Sequence, residues 1–419
     1  MRAPVGKGCC PVTKQTTYAA IAILVGFVFL PTRGFALQVQ VKDSFFGMHV
    51  SLRILRSGSW PSVPFSSLRL WDTKTSWAQL NPSDGKYDWN LLDDWLKEAQ
   101  HHDVDVLYTF GHTPSWASSR PGEGSCAYES GSCAPPNDLP EDGSGSDQHW
   151  KDFVTAIVKH SAGRIKYWEI WNEPINVKMW SGTIPQMLRM ARDASSIIKS
   201  TDPDALLLTP TLAMGTPRAK TWTNDYLQGG GGTYADALSY HAYLATPEEL
   251  IRVIEDLKQT AAKYGDGSKP LWQTEGSWGR AQETGVSDPD QQADYVLRFY
   301  TILTSSGVAK FYWYAWDNPG WGTMWTPSEH ERPAAGAYAT VHKWLADAVF
   351  DRPCTSENHI WTCSFTRNGQ NLIVWTDNQK AVTFTPPATF KQTRDLAGAA
   401  TPVKGPITVS SRPVLLTNQ

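Results

Sequence analysis

Two glutamates stand where a pair of carboxyl groups could do acid–base and nucleophilic chemistry. Glu173 closes the segment YWEIWNEP at residues 167–174, and Glu275 lies in WQTEGSW at residues 272–278. Two carboxyl groups that face each other across a cleft can cleave a glycosidic bond, because one protonates the leaving oxygen and the other attacks the anomeric carbon. Their surroundings must differ, since the acid has to hold a proton and the nucleophile has to be ionised.

Residues near these glutamates can belong to the site or serve only the structure of the chain. His241 and Tyr243 are two positions apart in SYHAY, so both side chains point to the same face of a strand. Glu169 is expected to be a buried, paired residue rather than a catalytic one. His112 can serve a site or simply shape the loop beside Pro114.

The elements that must position these side chains form a repeating pattern of strands and helices. The strand candidates cover residues 45–50, 66–71, 104–111, 165–171, 205–211, 237–244, 269–275 and 308–316, and helical patterns cover 88–102, 149–163, 185–200, 246–265 and 289–305. Strands that are apolar on both faces are typical of parallel sheets, and the simplest closed arrangement is a (β/α)₈ barrel. Active sites of such barrels lie at the C-terminal ends of the strands, where both glutamates fall.

The pattern changes near residue 349. Residues 359–385 indicate short strands separated by Asn-Gly and Asp-Asn turns, and residues 405–417 indicate a further strand. We therefore predict a catalytic barrel over 37–348 and a small C-terminal β-sheet domain over 349–419. We expect this domain to pack on the barrel and to share a strand from residues 37–42.

The first 36 residues predict an export signal. Basic residues precede an apolar run over 18–30, and Gly34 and Ala36 supply small side chains before a cleavage point at Leu37. The run is short for a membrane-spanning helix, although an uncleaved N-terminal anchor is the alternative. The sequence thus predicts a secreted or periplasmic protein.

Cysteine usage agrees with export. Beyond the signal segment the cysteines form two close pairs, Cys126 with Cys133 and Cys354 with Cys363. Each pair is expected to form a local disulfide in an oxidising compartment. A zinc site is the alternative, and it is disfavoured because the spacings do not fit and no histidine cluster accompanies them.

Composition limits the partners of the chain. The net charge is −3 and no basic stretch is present, so nucleic acid is not an expected partner. No obligate protein partner is indicated, and neither a metal nor another cofactor is expected. The chain has 20 tryptophans, whose rings can stack on the C–H faces of sugars. We expect rings near the mouth of the barrel, with core packing as the alternative for each, at Trp116, Trp180, Trp278, Trp316 and Trp321.

Five segments of the chain resemble clan A glycoside hydrolases, most closely family 39 and its relatives. They are RLWDTKTSWAQLNPSDGKYDW (69–89), YTFGHTPSWAS (108–118), YWEIWNEP (167–174), SYHAY (239–243) and WQTEGSW (272–278). Asn-Glu-Pro at the fourth strand and the glutamate that ends the seventh strand are together specific for this clan, and either one alone would be a weak indication. The resemblance implies a retaining, two-step mechanism, with Glu173 as general acid/base, Glu275 as nucleophile and Asn172 bound to the sugar 2-hydroxyl.

The resemblance also implies roles for the residues that surround the nucleophile. Tyr243 would orient Glu275, and His241 would shape the subsite of the attacked sugar. Arg69 on the second strand would keep Glu275 ionised, because a nearby cation favours a carboxylate. His112 and the tryptophans above complete the predicted substrate-binding set.

We therefore predict an exported retaining glycoside hydrolase that acts on a polysaccharide and cuts it internally. The alternatives are an exo-acting β-xylosidase-like or other small-glycoside hydrolase, and a transglycosylase that uses the same residues. A non-catalytic carbohydrate-binding protein is disfavoured, because such proteins usually lose one carboxylate. Loops that close the sugar pocket in exo-acting family 39 enzymes are not recognisable in the sequence, so a pocket and a groove both stay open.

Overall fold

The computed structural model describes Met1, residues 38–378 and residues 380–418. The predicted signal segment lies outside the described residues except for Met1. The described residues from Gln38 onward form one compact unit. Among the described residues, none of the helices combines the length and apolar character needed to span a bilayer.

The central sheet has eight parallel strands. They are β1 (Phe46–Met48), β2 (Ser67–Leu70), β3 (Asp105–Thr109), β4 (Tyr167–Glu169), β5 (Leu206–Leu208), β6 (Leu238–Tyr243), β7 (Leu271–Ser277) and β8 (Lys310–Trp313). Their order is β5-β4-β3-β2-β1-β8-β7-β6. Parallel bridges from Leu208 to Ala237 and from Leu212 to Tyr240 close the ring between β5 and β6. The predicted (β/α)₈ barrel is confirmed.

Helices follow most of the strands and bury their apolar faces against them. They are α1 (Leu52–Ser57), α2 (Trp77–Leu80), α3 (Asn90–His101), α4 (Gln148–Ser161), α5 (Ile184–Thr201), α6 (Pro217–Gln228), α7 (Leu250–Lys263), α8 (Ala281–Thr284), α9 (Pro289–Ser305) and α10 (Pro333–Leu345), with 3₁₀ turns at Asp43–Phe45, Gly231–Tyr234 and Pro247–Glu249. In α3 the buried residues are Leu92, Trp95, Leu96 and Ala99, which is the spacing of one helix face.

The long loop between β3 and α4 is tied to the barrel on two sides. The disulfide between Cys126 and Cys133 closes a short segment of it, as predicted. The Thr113 amide after β3 donates to the Ser132 carbonyl at 3.0 Å. The Ala127 amide donates to the carbonyl of Lys178, in the loop after β4, at 2.9 Å. The loop is therefore held against the ends of both strands.

The C-terminal region is antiparallel. Its strands are β9 (Val349–Phe350), β10 (Thr355–Glu357), β11 (Ile360–Thr366), β12 (Gln370–Thr376), β13 (Val382–Phe384), β14 (Gln392–Arg394), β15 (Ala400–Pro402), β16 (Ile407–Val409) and β17 (Val414–Thr417), and a separate hairpin pairs Trp325–Thr326 with His330–Glu331. The predicted shared strand is present, because Val39–Gln40 pairs with β9 in the larger sheet. The second predicted disulfide joins Cys354 and Cys363. The division at residue 348 stays a prediction.

Candidate active site

The floor of the barrel mouth is an ion pair between β2 and β4. Arg69 Nε and Nη2 donate to Glu169 Oε2 at 2.8 and 2.6 Å, and neither side chain is exposed. Glu169 also accepts from the hydroxyls of Thr109 at 2.8 Å, Thr274 at 2.7 Å and Ser239. A buried charge pair is tolerated when its remaining hydrogen-bonding capacity is satisfied in this way. Glu169 is the buried, paired residue that the sequence predicts.

Glu275 lies near the end of β7 and has one donor on each carboxylate oxygen. Arg69 Nη1 donates to Oε1 at 2.6 Å, and the Tyr243 hydroxyl donates to Oε2 at 2.6 Å. Burial raises the pKa of Glu275 above its ordinary value, although the charges of His241 and Arg69 act in the opposite direction. The two donors fix the orientation of the carboxylate.

Glu173 follows β4 in a backbone conformation that side chains rarely adopt. Its φ is +43°, and Asp72 and His112 beside the mouth also have positive φ values, of 57° and 61°. Such strained residues cluster at functional sites. Asn172 is oriented because its Oδ1 accepts from Arg69 Nη2 at 2.8 Å, which leaves its amide N–H groups as donors.

The two carboxylates are close together. Glu173, His241 and Glu275 each place one polar atom within 4.8 Å of the others. Retaining glycosidases separate their carboxyl groups by about 5–5.5 Å, whereas inverting enzymes need about 6.5–9.5 Å to fit a water. The geometry is therefore that of retention.

His241 lies between the two glutamates. Its Nδ1 is 2.9 Å from Glu173 Oε1 and 3.5 Å from Glu275 Oε2. Burial acts to raise the pKa of Glu173, but the hydrogen bond and charge of His241 lower it below the ordinary value. This direction, with the raised pKa of Glu275, is the reverse of what an acid and a nucleophile need.

The hydrogen-bond directions around His241 explain this reversal. Thr274 Oγ1 donates to Glu169, so it accepts from His241 Nε2, which lies 3.1 Å away. We assign the proton of a neutral His241 to Nε2 on this basis. The 2.9 Å contact from Nδ1 to Glu173 then contains one proton, carried by either group. The pair therefore holds one transferable proton in that contact, either as neutral His241 with protonated Glu173 or as protonated His241 with ionised Glu173.

These atoms could also be spaced for a metal ion, and their partners argue against that use. Both oxygens of Glu275 already accept strong hydrogen bonds from Arg69 and Tyr243. A cation at this position would lie close to the Arg69 guanidinium and be repelled by it. A second group with metal-ligand spacing is formed by Glu123, Cys126 and Cys133. Its two cysteines are joined in a disulfide and offer no thiolate.

Six predicted residues are brought together at the mouth: Arg69, Asn172, Glu173, His241, Tyr243 and Glu275. His112 lies beneath the Tyr128 ring, with centroids 4.0 Å apart. Burial lowers the pKa of His112 to about 4, so its ring is neutral. Neither of its nitrogens has a hydrogen-bond partner among the described residues.

The tryptophan predictions need correction. Trp180, Trp278 and Trp316 are 2%, 2% and 1% exposed and pack in the main hydrophobic core, so they present no face to a sugar. Trp116 is half-buried, and its indole N–H donates to the Asn81 carbonyl at 2.9 Å. Trp321 does lie at the mouth, because its ring packs 4.8 Å from that of Tyr243.

Three residues at the mouth are absent from the predicted set. Asp72 follows β2, Tyr314 follows β8, and Tyr128 belongs to the loop closed by the first disulfide; both tyrosine hydroxyls donate to Asp72. Asp72 and Tyr314 could have been found, because Asp72 directly follows the strand candidate 66–71 and Tyr314 lies near the end of the candidate 308–316. Tyr128 carried no signal, since loop geometry is not periodic.

A comparison with known proteins identifies the family of the chain. The family described as cellulase (glycosyl hydrolase family 5) matches residues 71–319. The chain belongs to this family. It is a clan A retaining glycoside hydrolase, as the sequence predicts. No curated protein matches the chain.

Solved structures share the fold at low identity. A family 39 glycoside hydrolase from Bacteroides cellulosilyticus WH2 has a TM-score of 0.70 and 17% identity, over 90% of this chain and 82% of that one. A GH39 enzyme from Xanthomonas axonopodis pv. citri has a TM-score of 0.63 and 16% identity, over 90% and 95%. A GH30 endoxylanase from Clostridium papyrosolvens C71 has a TM-score of 0.61 and 12% identity, over 91% and 97%. The predicted similarity to family 39 is thus found in the fold.

Proposed function

We propose that the chain is an exported retaining glycoside hydrolase that cuts a polysaccharide internally, with Glu173 as acid/base and Glu275 as nucleophile. The observation that carries these roles is the approach of the two carboxylates to within 4.8 Å, each with different partners. Glu275 is held by Arg69 and Tyr243, whereas the Glu173 carboxylate has His241 as its one hydrogen-bond partner among the described residues. The side chain of Glu173 is also 32% exposed, against 7% for Glu275.

In the first step Glu275 attacks the anomeric carbon. Arg69 and Tyr243 keep the carboxylate ionised and aimed, so little reorganisation is needed when the bond forms. The leaving oxygen takes the proton shared by Glu173 and His241. Glu173 is the more exposed member of the pair, with its side chain 32% exposed against 4% for His241, so we assign the transfer to the leaving oxygen to Glu173.

In the second step a water hydrolyses the glycosyl–Glu275 ester. Glu173, now without a proton, accepts one from this water, and the pair returns to its starting state. Asn172 keeps its amide orientation through Arg69, so its N–H groups can donate to a sugar 2-hydroxyl. Hydrogen bonds to that hydroxyl strengthen in the transition state.

Export and a polymeric substrate rest on further observations. Two disulfides join the described cysteines, which suits an oxidising compartment outside the cytosol. Aromatic rings of Tyr128, Tyr314 and Trp321 surround the mouth and can stack on sugars. The fold itself is shared by enzymes described as an endoxylanase and as a β-xylosidase.

One observation favours the exo-acting alternative. The loop that carries Tyr128 lies against the barrel mouth, where the Tyr128 hydroxyl donates to Asp72.

A substrate panel distinguishes the two modes of action. We would incubate the protein with polysaccharides and with aryl xylosides, glucosides, arabinosides and uronides. Falling chain length with oligomeric products supports internal cutting. Release from aryl monosaccharides alone supports exo action, and no release from any substrate would overturn the proposed function.

Leaving groups separate the roles of the glutamates. Glu173→Gln should lose about 10²–10⁴-fold in kcat/KM, which reports the first step, on substrates whose leaving group needs a proton, and much less on dinitrophenyl glycosides, which need none. Glu275→Gln should lose activity on both classes. Glu98→Gln, on the surface of α3, is the control and should retain wild-type rates. Equal losses by Glu173→Gln on both classes would contradict its role as the acid.

A further inference from the structure

Asp72 is an exposed carboxylate held by two tyrosines at the end of β2. The Tyr128 hydroxyl donates to Oδ1 at 3.0 Å, and the Tyr314 hydroxyl donates to Oδ2. The residue has a φ of 57°, which costs free energy for any residue other than glycine. The two hydrogen bonds hold Asp72 in this conformation.

Tyr128 is placed by a loop that is rigid for its length. The Cys126–Cys133 disulfide brackets it, and the neighbouring Ala127 amide is bonded to the Lys178 carbonyl. Its ring packs on His112, 4.0 Å between centroids, and edge-on against Trp71 at 5.9 Å. The hydroxyl therefore has little freedom to leave Asp72.

Tyr314 connects Asp72 to the nucleophile. Its ring lies edge-on to Tyr243, 6.4 Å between centroids, and Tyr243 donates to Glu275. Burial, then the charges of Asp72 and Glu275, raise the pKa of the Tyr314 hydroxyl. Burial and Asp72 raise that of Tyr128 in the same way. Both hydroxyls remain protonated, so both donate to Asp72.

An ionised carboxylate has about four acceptor positions, and the tyrosines occupy two. The remaining two are on an exposed side chain at the mouth. Two neighbouring sugar hydroxyls match such a pair of acceptors. A sugar carboxylate bound against Asp72 would be repelled by that carboxylate, and Glu173 and Glu275 add negative charge to the mouth. The cation of Arg69 is paired with Glu169 and Glu275, and that of Arg280 lies over the Trp321 ring, 5.1 Å from its centroid.

We propose that Asp72 binds two adjacent hydroxyls of an uncharged sugar and so selects neutral sugars over uronic acids, with Tyr128 and Tyr314 as its positioning residues. This inference rests on the proposed function. It assigns the disulfide-closed loop a role in substrate choice, which acts through the Tyr128 hydroxyl.

The test compares substrate choice in Asp72→Asn, Tyr128→Phe and wild type. The probes are the neutral aryl glycoside that wild type cleaves fastest and the aryl uronide of the same ring configuration. Asp72→Asn should raise KM for the neutral glycoside about tenfold, with a smaller change in kcat, and should raise uronide cleavage relative to it. Tyr128→Phe should raise KM about threefold, with its unfolding midpoint unchanged.

A second tyrosine–aspartate pair gives a matched control. Tyr167 donates to Asp105 Oδ2 at 2.8 Å, at the first residues of β4 and β3, on the opposite end of the barrel. Tyr167→Phe should leave KM and the neutral-to-uronide ratio unchanged. If Asp72→Asn does not fold, Tyr128→Phe and Tyr314→Phe decide the question, because both leave Asp72 in place.

The outcomes separate this inference from the function on which it rests. Unchanged KM and unchanged substrate ratio in Asp72→Asn, or in both phenylalanine variants, would overturn the role of Asp72 while wild-type cleavage leaves the proposed function intact. Preference of wild type for the uronide would also overturn the role of Asp72. Absence of cleavage by wild type across the whole panel would overturn both.

Discussion

At the scale of single residues, the site depends on how Glu275 is kept ionised in a buried position. Burial raises its pKa, and the hydrogen bond from Tyr243 and the charge of Arg69 oppose this effect. A nucleophile must be ionised, so the acidic limb of kcat/KM reports its pKa in the free enzyme. With Glu275 as the proposed nucleophile, these donors are expected to set the lower pH limit of activity.

Tyr243→Phe should move that acidic limb to higher pH. The variant removes a hydrogen bond that lowers the pKa of Glu275, so the carboxylate ionises only at a higher pH. At the pH optimum kcat/KM should fall about tenfold, the cost of one hydrogen bond to a charged group. The measurement is kcat/KM against pH for wild type and variant. A limb that stays in place or moves to lower pH would contradict this role of Tyr243.

The residues that sequence reasoning found are those that regular structure places. Glu173 and Glu275 sit at strand ends, and the period of β6 aligns His241 with Tyr243. Asp72 and Tyr128 meet only through a long loop, whose path depends on tertiary contacts. The buried tryptophans were misassigned because composition reveals that many rings exist and not which of them the core encloses.

At the scale of elements, the start of α4 contains a buried acid. Asp147 is its N-cap, is 0% exposed, and neither of its carboxylate oxygens has a hydrogen-bond partner among the described residues. Burial, then the charges of Asp193 and Asp138, raise its pKa from 3.8 to about 8. The folded protein thus keeps a proton here that the unfolded chain releases.

Asp147→Asn should remove a pH dependence of stability. Because the folded pKa lies above the unfolded one, the contribution of Asp147 to wild-type stability is greatest below about pH 4 and falls as the pH rises towards 8. Asparagine mimics the protonated acid, so the variant should gain in unfolding temperature relative to wild type as the pH rises. Thermal unfolding at pH 4, 6 and 8 measures this. If the unfolding temperatures of variant and wild type differ by the same amount at all three pH values, Asp147 does not hold a buried proton.

Five helices and the eight barrel strands were predicted, whereas α6 at Pro217–Gln228 and α10 at Pro333–Leu345 were missed. The pattern over 289–305 becomes α9 at Pro289–Ser305, and that over 185–200 becomes α5 at Ile184–Thr201. Most of the strands are shorter than predicted, and β8 covers four residues, Lys310–Trp313. The exception β7 keeps its predicted length and lies two residues later, at Leu271–Ser277. Short apolar runs mark a strand without marking its last paired residue.

At the scale of the whole molecule, the C-terminal sheet and the barrel share polar contacts as well as a strand. Trp375 on β12 donates through its indole N–H to Glu248 before α7, at 2.6 Å. Arg412 Nε donates to Asp294 on α9 at 2.6 Å. Without the sheet, these carboxylates lose partners and the apolar face of α9 and α10 is uncovered.

A chain ending at residue 348 should therefore not keep the stability of the full protein. We expect either insolubility or an unfolding midpoint lower by more than about 5 °C, because buried groups lose their partners. Circular dichroism during heating of both chains measures this. A truncated chain that unfolds at the wild-type temperature would contradict the dependence of the barrel on the sheet.

The most direct measurement is to trap the glycosyl–enzyme intermediate. A 2-deoxy-2-fluoro glycoside of the sugar that wild type cleaves fastest slows hydrolysis of the intermediate, so that the covalent adduct accumulates. Peptide mass spectrometry then locates the attached sugar. We predict that it is found on Glu275 and that Glu275→Gln carries none. Attachment to Glu173, or to any residue other than Glu275, would contradict the assignment of the nucleophile.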